Sequence, residues 1–391
     1  MSSPKLILDD FSNYRGPGAI FEGERIFGVS AGQSFPKVGV IILSWNEWQD
    51  TIECLESLQK IDYPNYEMIV VDNASTDGLV ENLKRWAKGE IPVNTRFVNF
   101  DASLKPVRYI EYDRKTAEAG GDQQEKNLEG LASSRKLVII QSGENLGFPG
   151  GNNVGIRYSL KKADFRYVLL LNDDTAVAPD FLTKMVEVAE EDEETGIVGG
   201  KIYYYQHPKR IWYGGGKLSL WRASGYNQQV GKTDRALPPS HSDEEPKGVV
   251  GASFITGCLM LIRRKLLQSS RLFREDYFLY VEDTDFCYQA LQEGWKLKVN
   301  LGAKIWHKGA PTEGRKISLM SSYYMTRNRL FFGFETIQGL RYRIVFGLFF
   351  FVTRPVRLLM WGISDKKQVA KGTWLGIMDF LRGKKGERYY R

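Results

Sequence analysis

The segment Tyr167-Val-Leu-Leu-Leu-Asn-Asp-Asp-Thr175 constrains the fold most, because an apolar run of strand length stops abruptly at two carboxylates, Asp173 and Asp174. A buried strand that ends this way delivers acids to one edge of a sheet. In open α/β sheets ligands bind outside the carboxyl ends of the strands, and paired acids there suit a hard divalent cation on a phosphate. A strand followed by an Asp-rich turn and helix cap is the other reading of the same residues.

Upstream, Val38-Gly-Val-Ile-Ile-Leu-Ser-Trp-Asn-Glu47 and Tyr66-Glu-Met-Ile-Val-Val-Asp-Asn-Ala-Ser-Thr-Asp77 each read as a β-branched strand running into a polar loop. Residues 51–58 between them carry apolar positions at helical spacing, so the three segments form a βαβ unit, which implies a parallel sheet. Ser44 and Asn46 then share an edge with Asp72, Asn73 and Ser75, in position to bind a base and ribose. No Gly-x-Gly-x-x-Gly fingerprint occurs in this unit, which disfavours a dinucleotide and leaves a mononucleotide.

Downstream, Phe278-Leu-Tyr-Val-Glu-Asp-Thr-Asp-Phe-Cys-Tyr-Gln289 interleaves Glu282, Asp283 and Asp285 with aromatics ahead of a helical pattern. Three acids cannot all be buried cheaply. They read either as a solvated helix start favoured by the macrodipole or as carboxylates crowded against an apolar wall, where a raised pKa makes a general base. His307, one of three histidines, ends the strand-like residues 297–306 and precedes Lys308-Gly-Ala-Pro311. Neutral imidazole in that place is a ligand for a manganese-type ion or a hydrogen-bonded structural group. A glycine-rich stretch, Glu144-Asn-Leu-Gly-Phe-Pro-Gly-Gly-Asn-Asn-Val-Gly155, follows the strand at 137–140 and opens a helix ending near Lys161. It lacks the Lys-Ser or Lys-Thr of a Walker loop, and it serves either as a structural turn or as a cradle for a diphosphate, with Asn145, Gly147 and Asn153 as contacts.

Taken in order, Ser44-Trp-Asn46, Val71-Asp-Asn-Ala-Ser-Thr-Asp77, the Glu144–Asn153 stretch, Leu171-Asn-Asp-Asp-Thr175, Thr256-Gly257, Glu282-Asp-Thr-Asp285 and His307 resemble the inverting family 2 glycosyltransferases, in their rhamnosyltransferase and galactofuranosyltransferase-like branch. The resemblance covers about residues 37–310. It implies a GT-A fold: an α/β architecture with a mostly parallel central sheet flanked by helices, here with a C-terminal helical region. It also implies a divalent metal, Mn2+ or Mg2+, and a nucleoside diphosphate sugar donor. Carried over by position, Asp174 and His307 match metal ligands and Asp283 the catalytic base. Ser44, Asn46, Asp72, Asn73 and Asp173 match donor contacts, and Thr256, Gly257 and Glu282 lie on the acceptor side, with Glu282 expected to stabilise positive charge on the reacting sugar. One departure is Asn172 at the first position of the aspartate-x-aspartate signature, an amide where a carboxylate would bind metal more tightly.

Three function classes are compatible with these motifs. A nucleotidyltransferase needs a basic glycine-rich loop after the first strand, where this chain has Ser44-Trp-Asn-Glu47; a noncatalytic assembly protein would have lost Asp174, Asp283 or His307, and all three are present. The expected activity is sugar transfer from a dTDP-rhamnose-like or UDP-sugar donor to a glycan or lipid-linked acceptor in surface polysaccharide assembly. A net charge of +7 without a groove-reading motif argues against nucleic acid.

The organisation expected is an N-terminal extension (1–36), a transferase domain (37–311) and a helical region (312–391). Residues 101–135 are charged and apolar-poor and read as a solvated insertion, whereas residues 249–262 read as one core strand with a small-residue bend. Trp212, Trp221 and Tyr226, in a Gly- and Tyr-rich stretch, are candidate sugar platforms on the acceptor side or simply packed rings. Cys54, Cys258 and Cys287 are widely spaced and odd in number, as reduced core residues of a cytoplasmic protein are, and Asp9 and Asp10 without a basic-then-apolar run speak against a signal peptide. In the last region Arg354-Pro355 interrupts residues that could otherwise span a bilayer. With Lys366, Lys367, Lys384 and Lys385 this predicts an interfacial helical hairpin on the anionic cytoplasmic face of the cell membrane, or alternatively a buried subdomain or oligomer interface.

Overall fold

The computed structural model describes residues 35–234, 248–309 and 318–388. The expected N-terminal extension falls almost wholly outside the described residues, as do Leu237, Pro238, Pro239 and Pro311. In chain order the first half comprises β1 (Lys37–Ser44), α1 (Trp48–Leu58), β2 (Tyr66–Asp72), α2 (Leu79–Lys88), β3 (Arg108–Asp113), α3 (Arg114–Ala119), β4 (Lys136–Gln141), α4 (Gly147–Lys161), β5 (Phe165–Asn172) and β6 (Thr175–Val177). The second half continues with α5 (Phe181–Glu190), β7 (Thr195–Tyr204), β8 (Ile211–Tyr213), β9 (Gly216–Ser219), β10 (Ser224–Asn227), β11 (Val249–Ala252), β12 (Leu259–Arg263), α6 (Arg264–Ser269), α7 (Glu282–Gln292) and β13 (Lys296–His307). Three helices close the chain: α8 (Leu319–Phe331), α9 (Leu340–Gly362) and α10 (Lys367–Leu381).

One sheet runs β11-β13-β7-β12-β5-β1-β2-β4-β3, with β6 and β8 attached at β13 and β7. From β5 to β3 every pairing is parallel, whereas β12 lies antiparallel to both β5 and β7. Strand order departs from β1 in two directions, to β2 and to β5, and this switch point is where an open sheet leaves a crevice for ligand. Register places Ser44 opposite Asp72, Asp72 opposite Gln141 and Leu43 opposite Asn172, so the polar ends of four strands share one edge.

The interior strands are the ones read from sequence, because a parallel strand covered on both faces is a near-continuous apolar run. Val40, Ile41, Ile69, Val70, Val138, Ile139, Leu169 and Leu170 are all fully buried. Two expectations are corrected. The charged insertion contains the edge strand β3, in which Ile110 and Tyr112 turn inward while their neighbours stay accessible. Residues 249–262 form two strands, since β11 pairs with β13 on one side and β12 with β5 and β7 on the other.

At the C-terminal end α8 and α10 lie in close contact because α10 presents glycines: a Cβ on Gly372 would sit 2.2 Å from the Leu319 carbonyl, and one on Gly376 would sit 2.7 Å from that of Tyr323. The helix α9 is continuous for 23 residues through Pro355. It buries Phe346, Phe350 and Arg354 and leaves Leu340, Leu348, Val352, Val356 and Leu359 exposed, so its apolar side faces outward. Overpacking a tight contact costs about 1–3 kcal/mol. Gly376→Val is therefore expected to lower the unfolding free energy by an amount in that range, read by urea titration, while the same change at the open position Gly362, which has no atom within 4 Å of its Cβ site, leaves it within experimental error.

Candidate active site

Asp174 and His307 are 133 positions apart in sequence and meet because β13 pairs antiparallel with β6, setting His307 opposite Thr175. His307 Nε2 lies 3.0 Å from Asp174 Oδ1, and the Gly309 N–H donates to Asp174 Oδ2 at 2.7 Å. The backbone adds a bond from Lys308 N–H to the Asp174 carbonyl at 2.9 Å. Lys308 Nζ then pairs with Asp50 and Glu53 of α1, each at 2.5 Å, which ties the strand end to the first helix. Burial pushes the Asp174 carboxyl up, but the His307 charge and hydrogen bond and the Gly309 N–H outweigh it and hold the group below its usual value. Burial likewise opposes charge on His307, and the neighbouring Cys258 and Asp174 overcome it, so the imidazole is held well above its ordinary pKa. Asp173, which accepts a hydrogen bond from Ser44, is pushed the opposite way, well up, by burial and by the Asp174 charge.

Asp174 Oδ1 is buried with no partner besides the His307 Nε2 contact, and His307 Nδ1 is buried without a hydrogen-bond partner. Asp174 Oδ1 and His307 Nε2 face one another at the separation of two groups that share an ion, so the pair fits a divalent cation. Among the described residues no third His, Cys, Asp or Glu joins them, so the remaining coordination positions would fall to ligand or water oxygens. Asn172 Nδ2 is 3.4 Å from His307 Nε2. Trp212, expected on the acceptor side, packs instead beside the same imidazole with ring centroids 4.9 Å apart.

The second acidic group sits at the start of α7. Asp283 Oδ2 accepts from the Gly257 N–H at 3.2 Å and Oδ1 from the Thr284 N–H at 2.7 Å, so the carboxylate is held from two sides. The segment Thr256-Gly-Cys258 joins the two centres, since the Cys258 carbonyl accepts from the Asn172 N–H at 3.1 Å and Cys258 contacts His307. Burial raises the Asp283 pKa, with the Gly257 and Thr284 hydrogen bonds opposing. Burial and then the Asp283 charge push Glu282 well up, and its Oε2 is buried without a partner. Burial and the Asp283 charge thus both favour the protonated form of Glu282. Asp285 pairs with Arg274 at 3.6 Å.

The backbone that aims Asp283 is strained. Phe278, Tyr280 and Val281 all have positive φ, at 65°, 67° and 77°, and for a β-branched residue such as Val281 this is a costly conformation. The neighbouring residues hold it in place. Asn328 Nδ2 of α8 reaches the carbonyls of Tyr277, Leu279 and Tyr280 at 2.9, 2.8 and 2.9 Å. Arg327 Nη2 adds the Tyr277 carbonyl at 3.0 Å. Sequence reading did not single out these two residues; the signal was a polar stretch, Thr326-Arg-Asn-Arg329, between the aromatic pairs Tyr323-Tyr324 and Phe331-Phe332.

The expected donor residues divide into two groups. Ser44, Asn46 and Asp72 stand at the common strand edge, where Asp72 Oδ1 accepts from the Ser75 N–H at 2.8 Å and Asn46 Oδ1 from the Thr76 N–H at 2.7 Å. Asn73, Asn145 and Asn153 have their amides engaged by the protein. Asn73 donates to Asn145 Oδ1 at 3.0 Å and accepts from the Leu146 N–H at 2.9 Å, while Asn145 Oδ1 also accepts from the Gly147 N–H at 2.9 Å. Asn153 donates to the Phe273 carbonyl and to Glu275. Gly147 has φ +69° and leaves only 2.1 Å between a Cβ and the Phe278 carbonyl. The glycine-rich turn therefore braces the loop in front of Asp283, and its amides are not arrayed as an open diphosphate cradle. Thr256 is buried and closes its own turn, with its carbonyl accepting from the Leu259 N–H.

Comparison with known proteins gives a family and a fold. The model of the family "glycosyltransferase like family 2" matches residues 126–326, just over half of the chain, and "glycosyl transferase family 2" matches residues 39–107. The low-salt glycan biosynthesis hexosyltransferase Agl10 of Haloferax volcanii is 26% identical over 167 residues, covering 42% of this chain and 48% of the relative. The dTDP-rhamnosyl transferase RfbF of Shigella flexneri is 22% identical over 205 residues, 51% of this chain and 63% of the relative, so the matched stretch spans about half to two thirds of these relatives. The fold is similar to that of the mannosyltransferase PcManGT of Pyrobaculum calidifontis in complex with GDP-Man and Mn2+, with TM-score 0.50, 14% identity, and 90% of this chain and 88% of that chain covered.

Leaving buried carbonyls without a donor costs about 1–3 kcal/mol. Asn328→Ala is expected to speed amide hydrogen exchange across residues 278–285 while amides of β1 and β2 keep their protection; unchanged exchange in that loop would show that Asn328 does not hold it.

Proposed function

This chain belongs to glycosyltransferase family 2 and uses a nucleotide sugar, and from that premise we propose that it is an inverting, metal-assisted enzyme acting on a hydroxyl of a glycan or lipid-linked acceptor. The observation that carries the reading is Asp283, a buried carboxylate with both oxygens fixed by backbone N–H groups, connected through Thr256–Cys258 to the Asp174 and His307 pair.

In this reading the acceptor oxygen attacks the anomeric carbon as the bond from that carbon to the diphosphate breaks, and the acceptor proton passes to Asp283. One displacement inverts the centre, and no covalent enzyme intermediate is required. Ser44, Asn46, Asp72 and Asp173 line the edge where the nucleoside and donor ribose would lie. Asp174 and His307 would hold Mn2+ or Mg2+, which when bound supplies positive charge for the departing diphosphate. Gly257 and Thr284 orient Asp283, and the neutral Glu282 beside it limits the negative charge that the attacking oxygen meets. The donor in this reading is a dTDP-rhamnose-like or UDP-sugar, the first supported by the likeness to the dTDP-rhamnosyl transferase RfbF, and the role is surface polysaccharide assembly, for which the likeness to the glycan biosynthesis hexosyltransferase Agl10 supports glycan synthesis. The transferase unit is placed at 37–311 and the helical region at 312–391, with α8 completing the site. The outward apolar side of α9 supports a peripheral location on the cytoplasmic face of the membrane.

Nucleoside diphosphate release from a panel of uridine-, deoxythymidine- and guanosine-diphosphate sugars is expected for one donor, with Mn2+ or Mg2+, and to stop with a chelator; release that a chelator leaves intact would remove the metal from the mechanism. A second test separates the two acids. A base must be ionised, and burial raises the Asp283 pKa, so kcat/KM is expected to fall with decreasing pH through a midpoint above the ordinary carboxylate value. Asp283→Asn should keep donor binding and lose far more than tenfold in transfer, a barrier increase well above about 1.4 kcal/mol. Glu282→Gln, which replaces a neutral acid by a neutral amide, should stay within about tenfold. The reverse ranking would reassign the base to Glu282.

A further inference from the structure

We infer that the corner where α9 meets the catalytic body binds the phosphate headgroup of an anionic membrane lipid, with Arg222, Arg329, Arg354 and Arg357 as its ligands and the outward face of α9 set in the acyl layer beside it. This rests on the peripheral-membrane reading above and goes further by naming the headgroup site.

The four guanidiniums are unusual within this protein because no carboxylate among the described residues neutralises them. Arg263 donates to the Thr195 carbonyl, Arg274 pairs with Asp276 and Glu335, and Arg327 donates to backbone carbonyls and the Tyr323 hydroxyl, whereas in this corner Arg329 donates to the Arg222 carbonyl, Arg222 and Arg357 are exposed, and Arg354 is buried. Arg354 is only 8% exposed, yet its Nε is buried with no hydrogen-bond partner. Among the described residues no carboxylate forms an ion pair with Arg222, Arg329, Arg354 or Arg357. Burial and the charges of Arg354, Arg357 and Arg222 bring the Arg329 pKa down to about 9, in keeping with like charges gathered in one place. Unpaired buried cations are costly, and a phosphate with several acceptor oxygens is the group guanidinium forks match best.

Aromatic rings keep the guanidiniums in place. Arg222 lies 4.5 Å over the Trp221 ring and 6.0 Å from that of Phe349, and Arg329 lies 5.7 Å from the same Phe349 ring. Trp221 meets Phe349 edge-on at 5.0 Å. Trp221, expected as a sugar platform, is therefore part of this corner. The apolar surface beside the cluster favours a lipid over a soluble phosphate. Leu348, Phe351, Val352, Val356, Leu359 and Met360 are each at least half exposed on α9, an apolar face that water alone does not favour. The helix is long enough to span a bilayer, but Phe346 and Phe350 seat it on the body, so it lies along the surface with its charged side at headgroup depth.

Sedimentation of the full chain with vesicles of phosphatidylcholine, alone or doped with phosphatidylglycerol, tests the site without any sugar donor. Phosphatidylglycerol is expected to raise binding, and the exposed variants Arg222→Gln and Arg357→Gln should each lose about fivefold of that increment, the equivalent of about 1 kcal/mol per charge. They carry the test if Arg354→Gln does not fold. Leu348→Glu with Val352→Glu should lose binding to both vesicle types. Wild-type protein that binds neither vesicle would overturn the peripheral reading and this site with it, whereas binding to both without a phosphatidylglycerol increment would overturn the arginine site alone. An increment that persists in Arg222→Gln and Arg357→Gln but vanishes in Lys366→Gln with Lys367→Gln would assign it to the basic tail and overturn the site. Loss of the increment to inorganic phosphate, but not to chloride of equal ionic strength, would make this a free-phosphate site and overturn the lipid assignment.

Discussion

The pairing of β13 with β6 is the constraint on which the site depends. β13 runs parallel to β7 along most of its length and takes β6 as a second neighbour only at its end, from Ile305 to His307. That brief antiparallel contact brings a histidine beside an aspartate from a distant part of the chain, and it does so with backbone hydrogen bonds that no side-chain choice can shift by one residue without turning His307 to the other face. The same strand is fed by α7, which starts at the site with Asp283 and runs away from it, so that β13 returns to the edge α7 left. One helix and one strand thus carry two of the three chemistry-bearing groups, and the parallel half of the sheet delivers the third.

Asp283 is placed by a different force. A loop with three non-glycine residues at positive φ does not hold itself, and the cost of about 1–3 kcal/mol per residue has to be offset nearby. The amide of Asn328 and the guanidinium of Arg327 do this by hydrogen-bonding the Tyr277, Leu279 and Tyr280 carbonyls, and the glycine-rich turn closes the other side through the Phe148 N–H to the Phe278 carbonyl at 2.8 Å. The helices after residue 318 are consequently part of the catalytic framework even though the sequence changes character there. Their own packing is polar at its centre, with the Tyr323 hydroxyl on the fully buried Asp379 at 2.7 Å.

The sequence made the parallel strands legible because burial on both faces removes polar residues altogether, and it made the strand ends legible because Ser44, Asp72 and Asp174 stand where the apolar runs stop. It hid β3, an edge strand whose alternation in Arg-Tyr-Ile-Glu-Tyr-Asp is short and strongly charged. It also left Asn73, Asn145 and Asn153 indistinguishable from ligand contacts, because an amide that braces a loop and one that binds a nucleotide have the same sequence signature and differ only in what faces them. Trp212 and Trp221 show the same limit. Both are large aromatics in a Gly- and Tyr-rich stretch, yet one packs on His307 and the other on Phe349.

The helix α9 rests on the body through Phe346, Phe350 and the buried Arg354, and it leaves a broad apolar face exposed together with Arg357. In water such a helix is unfavourable on both sides: the arginines repel one another without an anion, and the apolar face stays hydrated. A bilayer surface would relieve both at once, by covering the face and supplying phosphate to the cluster. Arg329 follows Asn328 directly in α8, so the turn of helix that holds the Asp283 loop also contributes to the arginine corner. A chain that acts on a lipid-linked acceptor would need its base and its membrane contact held in fixed relation, and a single turn of one helix is the shortest rigid connection available between them.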